Sequence, residues 1–203
     1  HARQGEKEVL WCVKLTTGET AWKSTFDVKF KIGNGGESHG KGPKSCPYLA
    51  DGRLFTLSMN GVLRAWDALT GKSLWVCEYA NKFKKPNPFW GATTSPLVDG
   101  QRLFVHFGSC DEGALVALDV KTGKVLWERG PDGASYSSPF IVELSGVRHL
   151  VEWNHVGLVG VDMESGKKLW QYSMPHLTHN QNTSLNWCTL FLTNPVNQEK
   201  KFS

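Results

Sequence analysis

Leu115-Val-Ala-Leu-Asp-Val-Lys-Thr-Gly-Lys-Val-Leu-Trp127 decides the fold, because the chain writes this segment three times. Leu63-Arg-Ala-Trp-Asp-Ala-Leu-Thr-Gly-Lys-Ser-Leu-Trp75 precedes it, and Leu158-Val-Gly-Val-Asp-Met-Glu-Ser-Gly-Lys-Lys-Leu-Trp170 follows. The shared pattern is a leucine, a small residue two positions on, an aspartate, Thr/Ser-Gly-Lys, and a closing Leu-Trp. A degenerate fourth copy runs from Leu10 to Trp22. It keeps Leu10, Thr17, Gly18 and Trp22, but carries Cys12 at the small position and Lys14 at the aspartate. The tryptophans at 22, 75, 127 and 170 step by 53, 52 and 43 residues, the period of a repeat architecture.

Each full copy has a second landmark upstream. Ser45-Cys-Pro47, Ser95-Pro96 and Ser138-Pro139 open short apolar runs. Asp51-Gly52, Asp99-Gly100 and Ser145-Gly146 then mark a tight turn, and Gly61, Gly113 and Gly157 mark the next. Each unit therefore reads as four short strands joined by hairpins. In the middle unit these are Pro96 to Val98, Leu103 to Phe107, Leu115 to Asp119 and Val125 to Glu128. The runs favour Val, Leu, Phe and Trp, as strands do, and no long segment has helical periodicity free of Gly or Pro. Four-stranded units at this period are blades of a β-propeller, an all-β fold of antiparallel sheets. A β-sandwich does not need one signature in successive strand pairs. The expected blades are 45–77, 95–129 and 138–172, with a half blade at 8–24 and a partial blade at 183–193. The repeat is cut at both ends and the chain begins at His1, so the expectation is part of a larger ring. The alternative is a compact four-blade ring closed by 8–24 and 183–193 together.

The motif has its own chemistry. Asp67, Asp119 and Asp162 can accept backbone N–H bonds across the turn between the third and fourth strands, helped by Thr70, Thr122 and Ser165. Gly71, Gly123 and Gly166 are expected at positive φ there. The small residue at 65, 117 or 160 leaves room for Trp75, Trp127 or Trp170 arriving from the next blade. Each indole N–H then needs a carbonyl. On this reading Trp22, Trp75, Trp127 and Trp170 join blades and are not stacking platforms.

Composition agrees with a packed domain. Among 203 residues, 40% are hydrophobic and 21% charged, with 23 basic and 19 acidic side chains giving a net charge of +4. Disorder, collagen and heptad rods are excluded. No stretch approaches the ~18 apolar residues of a membrane-spanning helix. The charge is too small and too scattered to point to nucleic acid.

The motif over residues 8–171 resembles the tryptophan-docking repeat of the PQQ-like (pyrroloquinoline-quinone-type) β-propellers. Gly42-Pro-Lys-Ser-Cys-Pro47, Asn87-Pro-Phe-Trp-Gly-Ala-Thr-Thr-Ser-Pro96 and Gly133 to Pro139 resemble its blade openings. The resemblance reaches secreted bacterial repeat proteins, outer-membrane assembly lipoproteins and quinoprotein alcohol dehydrogenases. It implies a periplasmic or extracellular location. It does not choose between scaffold and enzyme. The dehydrogenases of this resemblance use PQQ and calcium, and often two adjacent cysteines. This chain has no Cys-Cys pair, and no residue can be carried onto a catalytic position. Asp111 and Glu112 are expected to cap their own hairpin. Cys12 and Cys46 are expected in the core.

The loops entering each blade share one face with the hairpins between second and third strands. The candidate ligand face there comprises Lys41, Lys44, Lys82, Lys84, Lys85, Trp90, Tyr136 and His155. It suits a protein or an acidic or polyhydroxylated ligand. His39, His176, His179 and Asn180 fall in the same set of loops. His176 and His179 have a metal-compatible spacing but no third ligand, and Asn182-Thr-Ser184 is a formal glycosylation site. The expectation is a non-catalytic propeller module, with the remaining blades of its ring as partner. The alternative is a fragment of a PQQ-dependent alcohol or sugar dehydrogenase.

Overall fold

The computed structural model describes residues 1–32 and 40–173, which form four antiparallel sheets in sequence order. The first contains β1 (Ala2–Gln4), β2 (Lys7–Val13) and β3 (Thr20–Asp27). The second contains β4 (Tyr48–Ala50), β5 (Arg53–Leu57), β6 (Leu63–Asp67) and β7 (Ser73–Cys77). The third contains β8 (Leu97–Asp99), β9 (Arg102–Gly108), β10 (Gly113–Asp119) and β11 (Val125–Arg129). The fourth contains β12 (Phe140–Leu144), β13 (Val147–Asn154), β14 (Gly157–Asp162) and β15 (Lys168–Ser173). These are blades of a propeller, and among the described residues the ring is partial. A 3₁₀ turn, Tyr79–Lys82, is the one helical element among them to position a candidate residue. His39, His176, His179, Asn180, Asn182 and the expected partial blade at 183–193 lie outside the described residues.

The first sheet is larger than the half blade expected at 8–24. Cys12 pairs with Trp22, as Ala117 pairs with Trp127, so β2 and β3 are third and fourth strands. β1 adds a second strand through Arg3↔Glu8, across a turn in which Gly5 has φ +62°. Its mostly polar residues, Ala2-Arg3-Gln4, carry no apolar alternation to announce it.

The motif turns form as expected. The Asp119 carboxylate accepts the Thr122 N–H at 2.8 Å and the Thr122 hydroxyl at 2.7 Å. Asp67 with Thr70, and Asp162 with Ser165, repeat the arrangement. Gly71, Gly123 and Gly166 have φ of 71°, 70° and 70°. In the degenerate copy the Gly18 N–H still reaches the Lys14 carbonyl at 2.8 Å. Lysine there keeps the backbone turn and loses only the side-chain acceptor.

Tryptophan docking corrects one detail. The small residue belongs to the tryptophan's own blade: Ala65 faces Trp75, Ala117 faces Trp127, and Gly160 faces Trp170 across paired strands. The indole then reaches forward to the following blade. Trp22 Nε1–H donates to the Ala68 carbonyl at 3.0 Å, Trp75 to Val120 at 3.1 Å, and Trp127 to Met163 at 3.2 Å. Each carbonyl belongs to the residue after the motif aspartate. Each ring lies on the following turn glycine, where an added Cβ would sit 2.5–2.8 Å from the nearest indole atom. Trp170 donates instead to His149 Nδ1 of its own blade at 2.7 Å.

The core lies between blades. Phe55, Leu57 and Ala65 meet Leu103, Val105, Phe107 and Val116. Phe104, Leu115 and Ala117 meet Leu150, Val159 and Val161. The two cysteines expected in the core are elsewhere. Cys46 is exposed on the approach to β4, and Cys12 is half-buried.

Candidate functional site

The loops leaving β7 and β11 fold back over the hairpins between the second and third strands of their own blades. Ala92 N–H donates to the Met59 carbonyl at 3.0 Å, and Ala134 N–H donates to Ser109 at 2.7 Å. His155 N–H closes over the same loop onto Gly133 at 2.9 Å. Backbone bonds between loops thus fix side chains from separate blades in one place.

Trp90 and Tyr136 are the clearest product, because the sequence places them 46 residues apart and the loops bring them together. Their ring centroids are 5.5 Å apart. Trp90 N–H donates to Tyr136 Oη at 3.3 Å, and the Thr93 hydroxyl donates to the Tyr136 carbonyl at 3.1 Å. Trp90 also packs on Val28, Phe30, Ile32 and Met59. Phe89 stands edge-on to Trp90 with centroids 6.2 Å apart and is 54% exposed. Burial pushes the Tyr136 phenol up to about 12, so it stays protonated and neutral.

The lysines do not join this platform as a free basic patch. Lys82 Nζ is 2.8 Å from Glu128 and also meets the Tyr79 hydroxyl, at the outer strand of the third blade. Lys85 Nζ is 2.6 Å from Asp111, and its N–H donates to Glu112 at 2.8 Å. Lys41 lies 3.9 Å from Glu6, and Lys44 Nζ donates to the Gly40 carbonyl at 3.1 Å. Lys84 is exposed. Asp111 and Glu112 therefore reach across to the preceding blade's loop, and the Ser109 hydroxyl caps their hairpin instead, accepting both N–H groups. The His155 backbone is fixed to Gly133, on the loop that ends in Tyr136.

A second cluster is buried beneath the loops at the seam of the third and fourth blades. His106 Nδ1 lies 2.6 Å from Glu152 Oε2, and His106 Nε2 lies 2.9 Å from the Asp132 carbonyl. Asn154 donates to Glu152 Oε1 at 3.0 Å. Arg129 pairs with Asp132 and lies 4.0 Å from Glu152 Oε1. Residue numbers gave no warning of this cluster. The available signal was a polar residue inside each of two apolar strands, Leu103-Phe-Val-His-Phe107 and Leu150-Val-Glu-Trp153. Glu8 is a similar case at the first seam. It is fully buried, accepts the Met59 N–H at 3.0 Å, and is raised by burial above the usual carboxylate range.

The open cleft at this end runs between Leu57, Pro86, Ala92, Thr94, His106 and Ser135, with room for about one water molecule. A tricyclic quinone with calcium needs a wide chamber and spare carboxylate oxygens. Among the described residues the cleft is too narrow. The Glu152 and Asp132 carboxylates are engaged by His106, Asn154 and Arg129. These residues do not fit that pair.

Comparison with known proteins sets these features in context. The family model described as outer membrane protein assembly factor BamB matches residues 6–191. The protein of that name from Shewanella oneidensis is 27% identical over 138 residues, covering 65% of this chain and 33% of its own length. The 1-butanol dehydrogenase (quinone) of Thauera butanivorans is 30% identical over 170 residues, covering 76% of this chain and 25% of its own length. The crystal structure of BamB from Moraxella catarrhalis is similar with a TM-score of 0.59 and 17% identity, covering 85% of this chain and 49% of that one. At that identity the likeness speaks for the fold. The chain spans a third or less of the length of these two curated relatives.

Proposed function

The chain belongs to the family described as outer membrane protein assembly factor BamB, and from that premise we propose that it is a non-catalytic β-propeller module that docks a protein partner on its loop face. The observation that carries this reading is the platform of Phe89, Trp90 and Tyr136. It is assembled from two loops, locked from behind by backbone bonds, and left partly open to solvent. Rigid aromatic anchors with a polar rim are what a protein partner uses. Lys82 and Lys85, each paired with a carboxylate of the next blade, supply polar groups on the same loop. An acidic or polyhydroxylated ligand is compatible with the same face. The location that goes with this role is the bacterial periplasm or the outside of the cell.

A second reading, part of a quinone-dependent dehydrogenase using PQQ and calcium, is favoured by the 30% identity to the butanol dehydrogenase. One experiment separates the two. The intact protein is assayed with PQQ, calcium and an artificial electron acceptor across simple alcohols and sugars, and a photo-crosslinker is placed at Phe89 in cells. The docking reading expects no turnover and a discrete protein adduct that Trp90→Ala removes. A crosslinker at Leu69, in a turn at the opposite end of the blade, should give no such adduct. Robust turnover would overturn the choice.

A further inference from the structure

We propose that His106 and Glu152 form a proton-operated latch, which holds the loop 130–136 against the seam of the third and fourth blades while protonated and frees it when the proton leaves. The argument begins with donors and acceptors. The Asp132 carbonyl can only accept, so His106 Nε2 carries a hydrogen. His106 Nδ1 faces a carboxylate oxygen at 2.6 Å. Either the ring is an imidazolium beside a carboxylate, or Glu152 is protonated and donates to Nδ1. Both forms hold one proton more than a neutral ring beside an ionised carboxylate. Removing that proton leaves the ring one N–H for two acceptors. The Glu152 carboxylate, the stronger acceptor, keeps it at Nδ1, and the Nε2 lone pair is then set against the Asp132 carbonyl in a buried place, which is repulsive.

The neighbours make the proton count matter. β13 contributes Glu152 and Asn154, β11 contributes Arg129, and the loop contributes Asp132 and Ser135. Gly113 at the head of β10 and the Thr94 hydroxyl complete the surroundings with no ionisable group, and the Cys110 carbonyl abuts Gly133. With His106 protonated, two cations face two carboxylates. Without the proton, Arg129 alone faces both. Burial lowers the His106 pKa, but the Glu152 charge and the hydrogen bonds to Glu152 and Asp132 outweigh it, so the net direction is up. A raised folded-state pKa stabilises fully below the unfolded value of about 6.5 and ceases to do so as pH rises through the folded value.

A blade does not require such a pair. One seam earlier, the same two register positions hold Leu57 and Val105, both buried. The seam of the third and fourth blades has therefore exchanged apolar packing for a titratable contact. The polar contact lies at the root of the loop that ends in Tyr136. Release of the Asp132 carbonyl loosens the chain that sets Tyr136 against Trp90. This consequence for docking rests on the reading of that platform as the docking surface, whereas the latch itself does not.

The test uses the intact wild-type protein. Histidine-ring NMR follows His106 from about pH 5 to 10, while hydrogen exchange reads the Ala134 and His155 amides. The latch expects the ring–carboxylate pair to hold its extra proton at neutral pH, read from the shifts of both ring nitrogens, and to lose it above the ordinary histidine value. Amide protection, corrected for the intrinsic rate, should fall over the same interval, roughly tenfold per unit of pKa shift. Glu152→Gln should move the ring transition to lower pH. A ring that titrates at or below the ordinary value, or loop protection unchanged through the ring's titration, overturns the proposal. The wild-type ring decides even if the variant does not fold. Crosslinking from Phe89 at low and high pH separates the two readings. Loss of the adduct at both pH values, with the ring and amide transitions intact, removes the docking surface and leaves the latch standing.

Discussion

Trp127→Ala tests how the blades are joined. The half-buried indole removes about 100 Å² of a tryptophan's ~150–250 Å² from water. At about 25 cal/mol per Å² that is roughly 2.5 kcal/mol. The hydrogen bond to the Met163 carbonyl adds about 1 kcal/mol. The expected loss is therefore about 3–4 kcal/mol, measured as a lower urea midpoint at unchanged slope for the intact protein. Trp11→Ala is the control, because Trp11 is 61% exposed and its indole N–H bonds the exposed Thr20 hydroxyl of its own sheet. It should cost less than about 1 kcal/mol. A double variant sharpens the test. A Cβ on Gly166 would lie 2.5 Å from Trp127 Cε3, and Gly166 has φ +70°. Gly166→Ala alone carries both a clash and backbone strain. Beside Trp127→Ala only the strain remains, about 1 kcal/mol. The pair must therefore cost less than the sum of its parts. Equal shifts for Trp127 and Trp11, or strict additivity with Gly166, would refute indole docking as the joint between blades.

The motif turns should fail in acid. The Thr122 hydroxyl and N–H hold Asp119 below its usual range, and Thr70 and Ser165 do the same for Asp67 and Asp162. Depressed folded values mean stability present above the unfolded pKa of about 3.9 and lost as pH falls through the folded values. Asp119→Asn should flatten part of the acid limb of a thermal-midpoint titration, and an unaltered limb would contradict the assignment. Replacing Lys82, Lys84 and Lys85 with serine should move the melting temperature by only a few degrees, because water and salt screen exposed ion pairs. The same variant should bind a polyglutamate probe more weakly at low salt; unchanged binding at low and moderate salt would remove the electrostatic part of the docking face.

The blades were legible because their information is local. Asp, Thr and Gly within five residues specify a turn, and alternating apolar residues on either side specify the strands it joins. Trp22, Trp75 and Trp127 could be named as joints from the recurrence alone. Their direction could not, since both the small residue and the turn glycine offer space and only the strand register distinguishes them. Register set Ala117 opposite Trp127 and left the next blade's Gly166 as the landing place. β1 was illegible for the opposite reason, because three mostly polar residues pair through their backbones alone.

Function at the loop face depends on distances between loops, which the repeat does not encode. Trp90 and Tyr136 could be nominated as aromatic residues in long loops, but their contact is made by turns anchored to Met59 and Ser109 on different hairpins. The lysines show the reverse. Composition grouped Lys82 and Lys85 as one basic feature, and the fold separated them by giving each a carboxylate from the next blade. The His106–Glu152 contact combines both effects. Each residue breaks the apolar alternation of its own strand. Their separation by 46 residues exceeds the third step of the tryptophans by three, so a search for matching positions would not pair them. Only the stacking of one blade's second strand on the next brings the ring to the carboxylate. The repeat fixes that stacking and leaves the two facing positions free to be apolar, as at Leu57 and Val105, or titratable. A propeller can therefore acquire a proton-sensitive seam by substitution at two positions, without any change in the motif that builds its blades.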